Sequence, residues 1–222
     1  MMRAIAIDGP AGAGKSSIAK IVSKRLGFIY VDTGALYRAV GYTAMKKGIA
    51  LSGLDAILPY LDEMQVTIRY VDGEQRVFVN GVDVSSEIRT QEVAAYASKV
   101  SALPPVRQFL FDLQQQLARE NDVVMDGRDI GTVVLPNADV KIFLTASVEE
   151  RARRRYKELC EKGIPAELSV IEEEIRQRDE QDMNRPIAPL KQAEDAVLLD
   201  TSAMNIEESI EALLAIVASK LS

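Results

Sequence analysis

The sequence predicts an α/β fold in which helices cover both faces of a parallel sheet. Short β-branched runs alternate with longer segments whose apolar residues recur at helical spacing, and this alternation is typical of parallel sheets. Several of the short runs are apolar throughout, as expected for strands that are buried on both faces. The 222 residues suffice for one domain with insertions and a sizeable core.

Five segments are predicted to form the strands of this sheet, and seven are predicted to form helices. The strands are expected at 3–8, 28–31, 122–126, 139–144 and 196–200. The helices are expected at 15–26, 34–47, 88–101, 105–119, 147–162, 168–180 and 205–220.

Residues 64–84 interrupt this alternation. Apolar and polar residues alternate along this segment, which is the period of a strand with one buried face. The pairs Asp72-Gly73 and Asn80-Gly81 fall between the apolar runs, and both favour tight turns. The segment is therefore predicted to form a small antiparallel meander, an accessory lobe on the α/β core.

Residues 9–16 read Gly-Pro-Ala-Gly-Ala-Gly-Lys-Ser, which fits the pattern G-x-x-x-x-G-K-[ST]. They lie between the first predicted strand and the first predicted helix. In that context the backbone N–H groups and the helix dipole favour a bound phosphate. Lys15 adds a positive charge, and the Ser16 hydroxyl suits the Mg²⁺ that accompanies a nucleoside triphosphate. The alternative is a glycine-rich turn without a ligand, but the complete pattern in this context favours a triphosphate site.

Composition restricts the remaining chemistry. The formal net charge of −6 argues against a broad nucleic-acid or membrane surface. The chain has no histidine, which excludes a Ser-His-Asp triad and histidine-ligated metals. The single cysteine, Cys160, excludes an internal disulfide and is expected to be a packing or surface residue. Because the N-terminus has no basic-then-apolar leader and no apolar run reaches membrane-spanning length, we expect a cytoplasmic enzyme.

Two charged loops, 32–38 and 126–129, directly follow predicted strands. The carboxyl ends of parallel strands are where open α/β sheets bind ligands. Thr33 has two interpretations: it caps the next helix, or it binds a substrate phosphate together with Arg38. Arg128 lies between two acidic residues, and one interpretation is an ion-pair cluster. The glycine before it permits an unusual turn at the ligand-binding edge, which favours a functional role.

Residues 150–186 form a second interruption, which is rich in charge. Five cations lie between Arg151 and Lys157 of an acidic protein. Ion pairs four residues apart, such as Glu150–Arg154 and Glu174–Arg178, are typical of a solvated helix. The clustering favours instead a mobile flap that closes over polyphosphate, because guanidinium groups pair with phosphate oxygens and stay charged.

These features together predict phosphoryl transfer. Its transition state requires positioning and electrostatic stabilisation more than covalent help from the protein. A phosphate acceptor is already ionised at neutral pH, so the absence of histidine is no obstacle. A closing flap would also exclude water and prevent hydrolysis of the triphosphate.

Six motifs occur in order along the chain: residues 7–17, 32–38, 87–90, 105–107, 126–132 and 178–185. This ordered set resembles the bacterial cytidylate (CMP/dCMP) kinases over essentially the full length of the chain. The resemblance implies a P-loop nucleotide kinase core with a five-stranded parallel sheet flanked by helices. It also implies a nucleoside-monophosphate-binding β insert at 64–84 and a helical, arginine-rich lid at 150–186. The core would then comprise 1–63, 85–149 and 187–222.

The resemblance further implies roles for individual residues. ATP is expected to contact Gly9, Pro10, Ala11, Gly12, Ala13, Gly14, Lys15, Ser16, Ser17, Arg151, Arg154 and Arg155, with Mg²⁺ on Ser16. CMP or dCMP is expected to contact Thr33, Tyr37, Arg38, Ser98, Arg107, Arg128, Asp129, Arg178, Asp182 and Arg185. The phosphate would be held by Thr33, Arg38, Arg128 and Arg185, the base by Ser98, Arg107 and Asp129, and the sugar by Arg178 and Asp182. The catalytic residues would be Lys15, Arg128, Asp129 and Arg185.

The role of Asp129 has a physical basis. A carboxylate accepts a hydrogen bond from the exocyclic amino group of cytosine, whereas uracil presents a carbonyl there. Two positions depart from the usual pattern of the family. Thr33 stands where serine is common, and Gln181 stands where a further lid arginine is common.

The expected partners are ATP and CMP or dCMP, with no nucleic acid and no membrane, and the expected state is a monomer. One alternative is a P-loop kinase of another nucleoside monophosphate or a small metabolite, since the fold is shared. A GTPase-type switch is disfavoured because the chain has no N-K-x-D motif. An ATPase motor or transporter subunit is disfavoured because Leu51-Ser52-Gly53 is only a fragment of the required signature.

Overall fold

The computed structural model describes residues 2–221 of the chain. These residues contain eight strands and eight α-helices, joined by loops and short turns. The strands are β1 (Ala4–Asp8), β2 (Ile29–Asp32), β3 (Val66–Val71), β4 (Glu74–Val79), β5 (Val82–Asp83), β6 (Val123–Gly127), β7 (Val140–Thr145) and β8 (Val197–Asp200). The helices are α1 (Lys15–Leu26), α2 (Thr33–Lys46), α3 (Leu58–Leu61), α4 (Gln91–Val100), α5 (Pro104–Glu120), α6 (Val148–Glu161), α7 (Leu168–Asn184) and α8 (Ile206–Leu221).

The central sheet has the strand order β2-β6-β1-β7-β8, and all four neighbouring pairs are parallel. The predicted five-stranded parallel sheet is therefore confirmed, with each strand within one residue of its predicted bounds. Strand β1 lies at the centre and is fully buried at Ile5, Ala6 and Ile7.

Helices cover both faces of this sheet because alternate side chains of a strand point to opposite faces. Ile5 and Ile7 join a core cluster with α1 and α8. Ala6 joins a different cluster, against which Leu117 of α5 packs. The apolar composition of β1 follows from this burial on both sides.

Helix α1 begins and ends where the sequence predicts, because glycines bound it. Gly14 precedes it with φ 90° and Gly27 follows it with φ 72°, both in the left-handed region. A residue with a Cβ adopts that region only at a cost, so the two glycines stop the helix from extending. The helix therefore begins at Lys15, immediately beside the phosphate loop.

Strands β3, β4 and β5 form a separate antiparallel sheet, which confirms the predicted meander. The turn between β3 and β4 has positive φ at Asp72 (54°) and Gly73 (76°), which suits a two-residue hairpin turn. Val66 and Val77 bury their side chains in the same cluster as Leu36 and Val40 of α2. The meander thus shares a hydrophobic core with the helix that follows β2.

Two predicted helices need correction. The helix expected at 88–101 is interrupted: Glu87–Arg89 form a 3₁₀ turn, and α4 starts only at Gln91. Thr90 causes the break, since its backbone is extended and its hydroxyl accepts from the N–H of Val93 at 3.2 Å. The helix expected at 168–180 continues to Asn184. Its last turns are charged, but Asp179 and Asp182 are buried against arginines of the core and of α6.

Three short elements were not predicted: a 3₁₀ turn at Leu54–Ile57, helix α3, and a π turn at Ile130–Val134. Among residues 2–221, no helix is both long enough and apolar enough to cross a membrane.

Candidate active site

A cavity of about 690 Å³ opens at the carboxyl ends of β1, β2 and β6. It is lined by most of the residues that the sequence singles out, contributed by the phosphate loop, the two strand-end loops, α4, α5 and the lid. They are Ala11, Gly12, Gly14, Lys15, Ser16, Ser17, Thr33, Tyr37, Arg38, Ser98, Arg107, Arg128, Asp129, Arg151, Arg154, Arg155, Arg178, Asp182 and Arg185. The three other predicted residues, Gly9, Pro10 and Ala13, belong to the phosphate loop but do not line the cavity.

The phosphate loop leaves β1 through a turn that only glycine permits. Gly9 has φ 148°, and a Cβ there would lie 1.9 Å from the carbonyl oxygen of Leu144 on β7. Ala13 is fully buried in the cluster with Ile18 of α1, which fixes the loop from behind. The loop is therefore held between the sheet and α1 while its remaining residues face the cavity.

Lys15 is the buried cation of this loop. Its ammonium group donates to the carbonyl oxygen of Pro10 at 2.7 Å, and the residue is 5% exposed. Burial lowers the pKa of Lys15, and the nearby Arg128 lowers it further. A bound anion would favour the charged ammonium and reverse this shift.

Asp126 at the end of β6 connects the phosphate loop to β2. Its carboxylate accepts from the Ser16 hydroxyl at 2.9 Å and from the Tyr30 hydroxyl at 2.8 Å. Burial raises its pKa, and the charge of Asp32 adds to the shift. The sequence predicts a functional loop at 126–129 but no individual role for Asp126. Only its position could have indicated a role, because it is an acidic residue at the carboxyl end of a buried strand.

Thr33 joins the two strand-end loops. Its hydroxyl donates to the carbonyl oxygen of Asp126 at 2.7 Å. The interpretation of Thr33 as a helix cap is wrong, because Asp32 caps α2 by accepting from the N–H of Ala35 at 2.9 Å. Thr33 is instead the first residue of α2 and lines the cavity.

Asp129 lies between two arginines at the back of the cavity. Arg107 donates to one carboxylate oxygen, and Arg185 lies 3.3 Å from the other. Asp129 is 4% exposed, and burial raises its pKa although both arginines lower it. The Tyr37 ring lies 5.6 Å from the Arg107 guanidinium. This corner combines one carboxylate, two guanidinium groups and an aromatic face.

Ion pairs join helix α7 to the loop after β6 and to α6. Arg128 of that loop lies 2.8 Å from Asp182 of α7. Arg151 is buried, forms two hydrogen bonds to Asp179 and donates to the carbonyl oxygen of Ala11 at 3.0 Å. Arg151 therefore links α6, α7 and the phosphate loop, and its guanidinium is already engaged by protein groups.

The other lid arginines differ in their partners. Arg154 forms the predicted pair with Glu150 at 2.9 Å and also donates to the carbonyl oxygen of Thr201. Arg155 pairs with Glu158 at 2.8 Å. Arg178 lines the cavity, and its buried Nε has no hydrogen-bond partner among residues 2–221. Among residues 2–221 it forms no ion pair with Glu174, the pair that the alternative of a solvated helix would contain.

Comparison with known proteins agrees with this geometry. The sequence profile of the cytidylate kinase family matches residues 5–219. The chain belongs to the cytidylate kinase family. Its relatives include a cytidylate kinase of Streptococcus pneumoniae strain 70585, which is 52% identical over 212 residues and 95% of each chain. A second, from strain Hungary19A-6, is 51% identical over the same extent.

The fold of this cytidylate kinase family member is shared more widely. A shikimate kinase from Bacteroides thetaiotaomicron superposes with a TM-score of 0.50 over 98% of this chain and 99% of its own, at 14% identity. An uncharacterised protein from Eubacterium ventriosum superposes with a TM-score of 0.52 at 11% identity, over 99% of each chain. At these identities the likeness shows the P-loop kinase fold alone.

The sequence of this family member does not single out one group of the residues that line the cavity. Met204, Asn205 and Ile206 follow β8 and line the same cavity, together with Ser209. No motif marks them, and only their place after a strand of the parallel sheet could have indicated them. Met204 and Ile206 add apolar side chains to the lining of the cavity.

Proposed function

We propose that this chain transfers the γ-phosphoryl group of ATP to CMP or dCMP, giving ADP and CDP or dCDP. The observation that carries the proposal is that the phosphate loop and the Asp129 corner line one and the same cavity, that of about 690 Å³. Donor and acceptor nucleotides could therefore meet without water between them. Family membership is consistent with this reaction.

The donor is assigned to the phosphate loop. Backbone N–H groups of the loop and the N-terminus of α1 favour the β- and γ-phosphates, and Lys15 supplies a fixed positive charge. Arg154 and Arg155 line the same cavity as the phosphate loop. Met204 and Ile206 offer apolar contact to the base of the donor.

The acceptor phosphate is assigned to Thr33, Arg38, Arg128 and Arg185. These residues come from α2, the loop after β6 and the end of the lid, and all line the cavity. Arginine suits this task because its planar group pairs with two phosphate oxygens at once. Arg178 and Asp182 are assigned to the sugar. The unpartnered Nε of Arg178 supports a polar ligand at that point.

The base is assigned to Asp129, Arg107 and Ser98. The Asp129 carboxylate is buried and fixed by two arginines, so it can accept from the cytosine amino group at a defined place. Uracil would set its carbonyl oxygen against this carboxylate, and that carbonyl oxygen would be buried without a hydrogen-bond donor. An unsatisfied buried polar group costs about 1–3 kcal/mol, which favours cytosine over uracil.

Mg²⁺ is assigned to Ser16 with Asp126 beside it. Both offer hard oxygen ligands, which Mg²⁺ prefers, and the two groups are 2.9 Å apart. Among residues 2–221, no cluster of three or more His, Cys, Asp or Glu side chains could hold a metal by itself. The phosphate oxygens and water would therefore complete the coordination. When bound, the cation neutralises charge on the β- and γ-phosphates.

The protein's part in the reaction is to position and to stabilise charge. Lys15, Arg128 and Arg185 surround the point where the phosphoryl group passes between nucleotides, and each neutralises charge on its oxygens. The acceptor phosphate is ionised at neutral pH, so no general base is required. The lid, 150–186, excludes water and so protects ATP from hydrolysis.

The proposal includes the arrangement of the chain. The core (1–63, 85–149 and 187–222) carries the donor site, the insert (64–84) belongs with the acceptor side, and the lid covers both. Every residue assigned to the reaction comes from one chain, which is consistent with a monomer. We place the enzyme in the cytoplasm, where ATP and nucleoside monophosphates are found.

A coupled assay with ATP and Mg²⁺ tests the proposal directly. CMP, dCMP, UMP, AMP and GMP are compared as acceptors under identical conditions, and kcat/KM is measured for each. We expect CMP and dCMP to lead. A higher kcat/KM for AMP or GMP would overturn the assignment of the acceptor.

A further inference from the structure

Strand β2 has one free edge. It is the outermost strand of the central sheet and, among the strands of residues 2–221, pairs with β6 alone. The backbone groups on its other edge have no strand partner, and such groups must be hydrogen-bonded elsewhere or to water. At this edge lies the tip of the hairpin formed by β3 and β4, residues 66–79.

Side chains of the hairpin take the place of the missing strand. The amide oxygen of Gln75 accepts from the N–H of Asp32 at 2.8 Å. The amide nitrogen of Gln75 donates to the carbonyl oxygen of the same residue at 3.3 Å. Two residues earlier on β2, the carbonyl oxygen of Tyr30 accepts from the hydroxyl of Tyr70 at 3.0 Å. Gln75 thus satisfies both backbone groups of Asp32, as a neighbouring strand would.

A carboxamide is suited to this position because it carries a donor and an acceptor side by side. A carboxylate has only acceptors and would set an oxygen against the carbonyl of Asp32. An ammonium group has only donors and would face the N–H. The contact with the Asp32 backbone therefore requires a carboxamide on a side chain as long as that of glutamine.

Asp32 in turn organises the acceptor loop. One of its carboxylate oxygens caps α2 at Ala35, and the other lies 3.9 Å from Arg38. The next residue, Thr33, is tied to β6 through the carbonyl oxygen of Asp126. The position of the Asp32 backbone therefore decides where the Thr33 hydroxyl and the Arg38 guanidinium lie.

Gln75 itself does not line the 690 Å³ cavity. It lines a separate cavity of about 200 Å³ between the hairpin, α1 and β2. We propose that Gln75 is a positioning residue for the acceptor phosphate, which it serves by holding the backbone of Asp32 and through it Thr33 and Arg38. This inference rests on the proposed function only in that the acceptor is a nucleoside monophosphate.

The first test is Gln75→Ala, with steady-state kinetics for both substrates. The variant loses both hydrogen bonds that position the loop, so we expect the acceptor KM to rise about three- to tenfold, which corresponds to about 0.7–1.4 kcal/mol. The KM for ATP should change by less than about twofold. An unchanged acceptor KM, or an equal rise in both KM values, would overturn the proposal.

A second variant, Gln75→Glu, separates hydrogen bonding from space filling. It keeps the volume and the bond from the N–H of Asp32, but it sets a carboxylate oxygen against the carbonyl. The acceptor KM should rise at least as much as in Gln75→Ala. Wild-type kinetics in this variant would show that Gln75 only fills space.

Two neighbours on the hairpin provide controls. Glu74→Gln removes an ion pair with Lys20 in which both side chains are more than half exposed, 53% and 56%, and we expect wild-type kinetics. Tyr70→Phe removes the bond to Tyr30 but not those to Asp32. If Tyr70→Phe raises the acceptor KM as much as Gln75→Ala, docking of the whole hairpin is responsible and the specific role of Gln75 is refuted.

A readout without turnover keeps this proposal separate from the proposed function. Backbone amide exchange of Asp32 and Ala35 is followed by NMR in the wild type and Gln75→Ala. We expect faster exchange at both amides in the variant, and unchanged rates would contradict the proposal. If the wild type prefers another nucleoside monophosphate to CMP, the proposed function fails, and the same comparison of KM values is made with that acceptor.

Discussion

Arg185, directly after α7, lies 3.3 Å from the carboxylate of Asp129, in the loop after β6. Arg107 of α5 engages the other oxygen of the same carboxylate. The residue that follows α7 and the proposed base-binding residue are thus in direct contact. A substitution at either position changes how the other is held, so their effects on activity will not be additive.

Asp129→Ala is expected to lower kcat/KM for CMP more than for UMP. The variant removes the acceptor for the cytosine amino group, a bond that uracil cannot form. The difference between the two substrates should reach about 5- to 100-fold, given about 1–3 kcal/mol for the lost interaction. Steady-state kinetics with both nucleotides measure it. An equal loss for CMP and UMP would show that Asp129 only holds Arg107 and Arg185.

Arg185→Ala is expected to lower kcat by about 10- to 100-fold, because charged hydrogen bonds contribute about 1.5–3 kcal/mol. ATP binding, measured by titration calorimetry, should stay within about twofold of the wild type. Arg153→Ala is the matched control, since Arg153 is a lid arginine whose side chain is 67% exposed. Equal turnover in the two variants would exclude Arg185 from a role in the reaction.

Asp126→Asn is expected to raise the Mg²⁺ concentration for half-maximal activity by at least about tenfold. An amide oxygen is neutral and binds the cation less strongly than a carboxylate. Burial raises the pKa of Asp126, so in the wild type the Mg²⁺ requirement should increase as the pH falls and this group is protonated. The variant should lack that pH-dependent step. The same Mg²⁺ dependence in both proteins would exclude Asp126 from the metal site.

The raised pKa of Asp8 is expected to make the stability of the fold depend on pH. Burial raises its pKa from 3.8 to about 6, although it accepts from the N–H groups of Ile130 and Gly131. The folded state therefore binds the proton more tightly than the unfolded state. This contribution to stability is full below pH 3.8 and is lost as the pH rises through about 6.

The test compares Asp8→Asn with the wild type by urea denaturation at several pH values. The variant lacks the titrating group, so its deficit in unfolding free energy should be largest near pH 4. The deficit should narrow by up to about 3 kcal/mol by pH 7, which is the free energy of a shift of about two pKa units. A deficit that is constant across this range would contradict the assignment.

Gly9→Ala is expected to destabilise the fold and abolish ATP binding. Its Cβ would lie 1.9 Å from the carbonyl oxygen of Leu144, so the loop and β7 would have to separate. Gly73→Ala is the control: it also has positive φ, but nothing lies within 4 Å of the added Cβ. Thermal unfolding should show a loss of about 1 kcal/mol for Gly73→Ala and several for Gly9→Ala. Equal losses would show that backbone strain, not the clash, sets the cost.

Local chemistry made much of this fold predictable. Gly14 and Gly27 fix the bounds of α1, and the turn pairs of the meander fix its hairpins. The break at Thr90 is not predictable from the apolar period, because that period continues through the residue. The break arises because the Thr90 hydroxyl accepts from the N–H of Val93 and so caps α4. A cap of this kind is decided by one hydrogen bond, which a period cannot reveal.

The sequence predicts which residues form the site but not how their side chains are arranged. Motifs identified Asp129, Arg107 and Arg185, yet their mutual contact joins residues 22 and 56 positions apart. The hydrogen bonds between Gln75 and Asp32 likewise join residues that are 43 positions apart. Such contacts depend on how separate elements pack, and no spacing rule along the chain contains that information.

The hairpin tip on β2 also affects how copies of this chain meet one another. An uncovered edge strand offers unpaired N–H and C=O groups to any extended segment, and this is a common route to aggregation. Gln75 and Tyr70 occupy three of those groups on β2, the N–H and C=O of Asp32 and the C=O of Tyr30, and so obstruct pairing with a second chain. The small sheet that lies beside the acceptor loop therefore also keeps the central sheet from growing beyond β2.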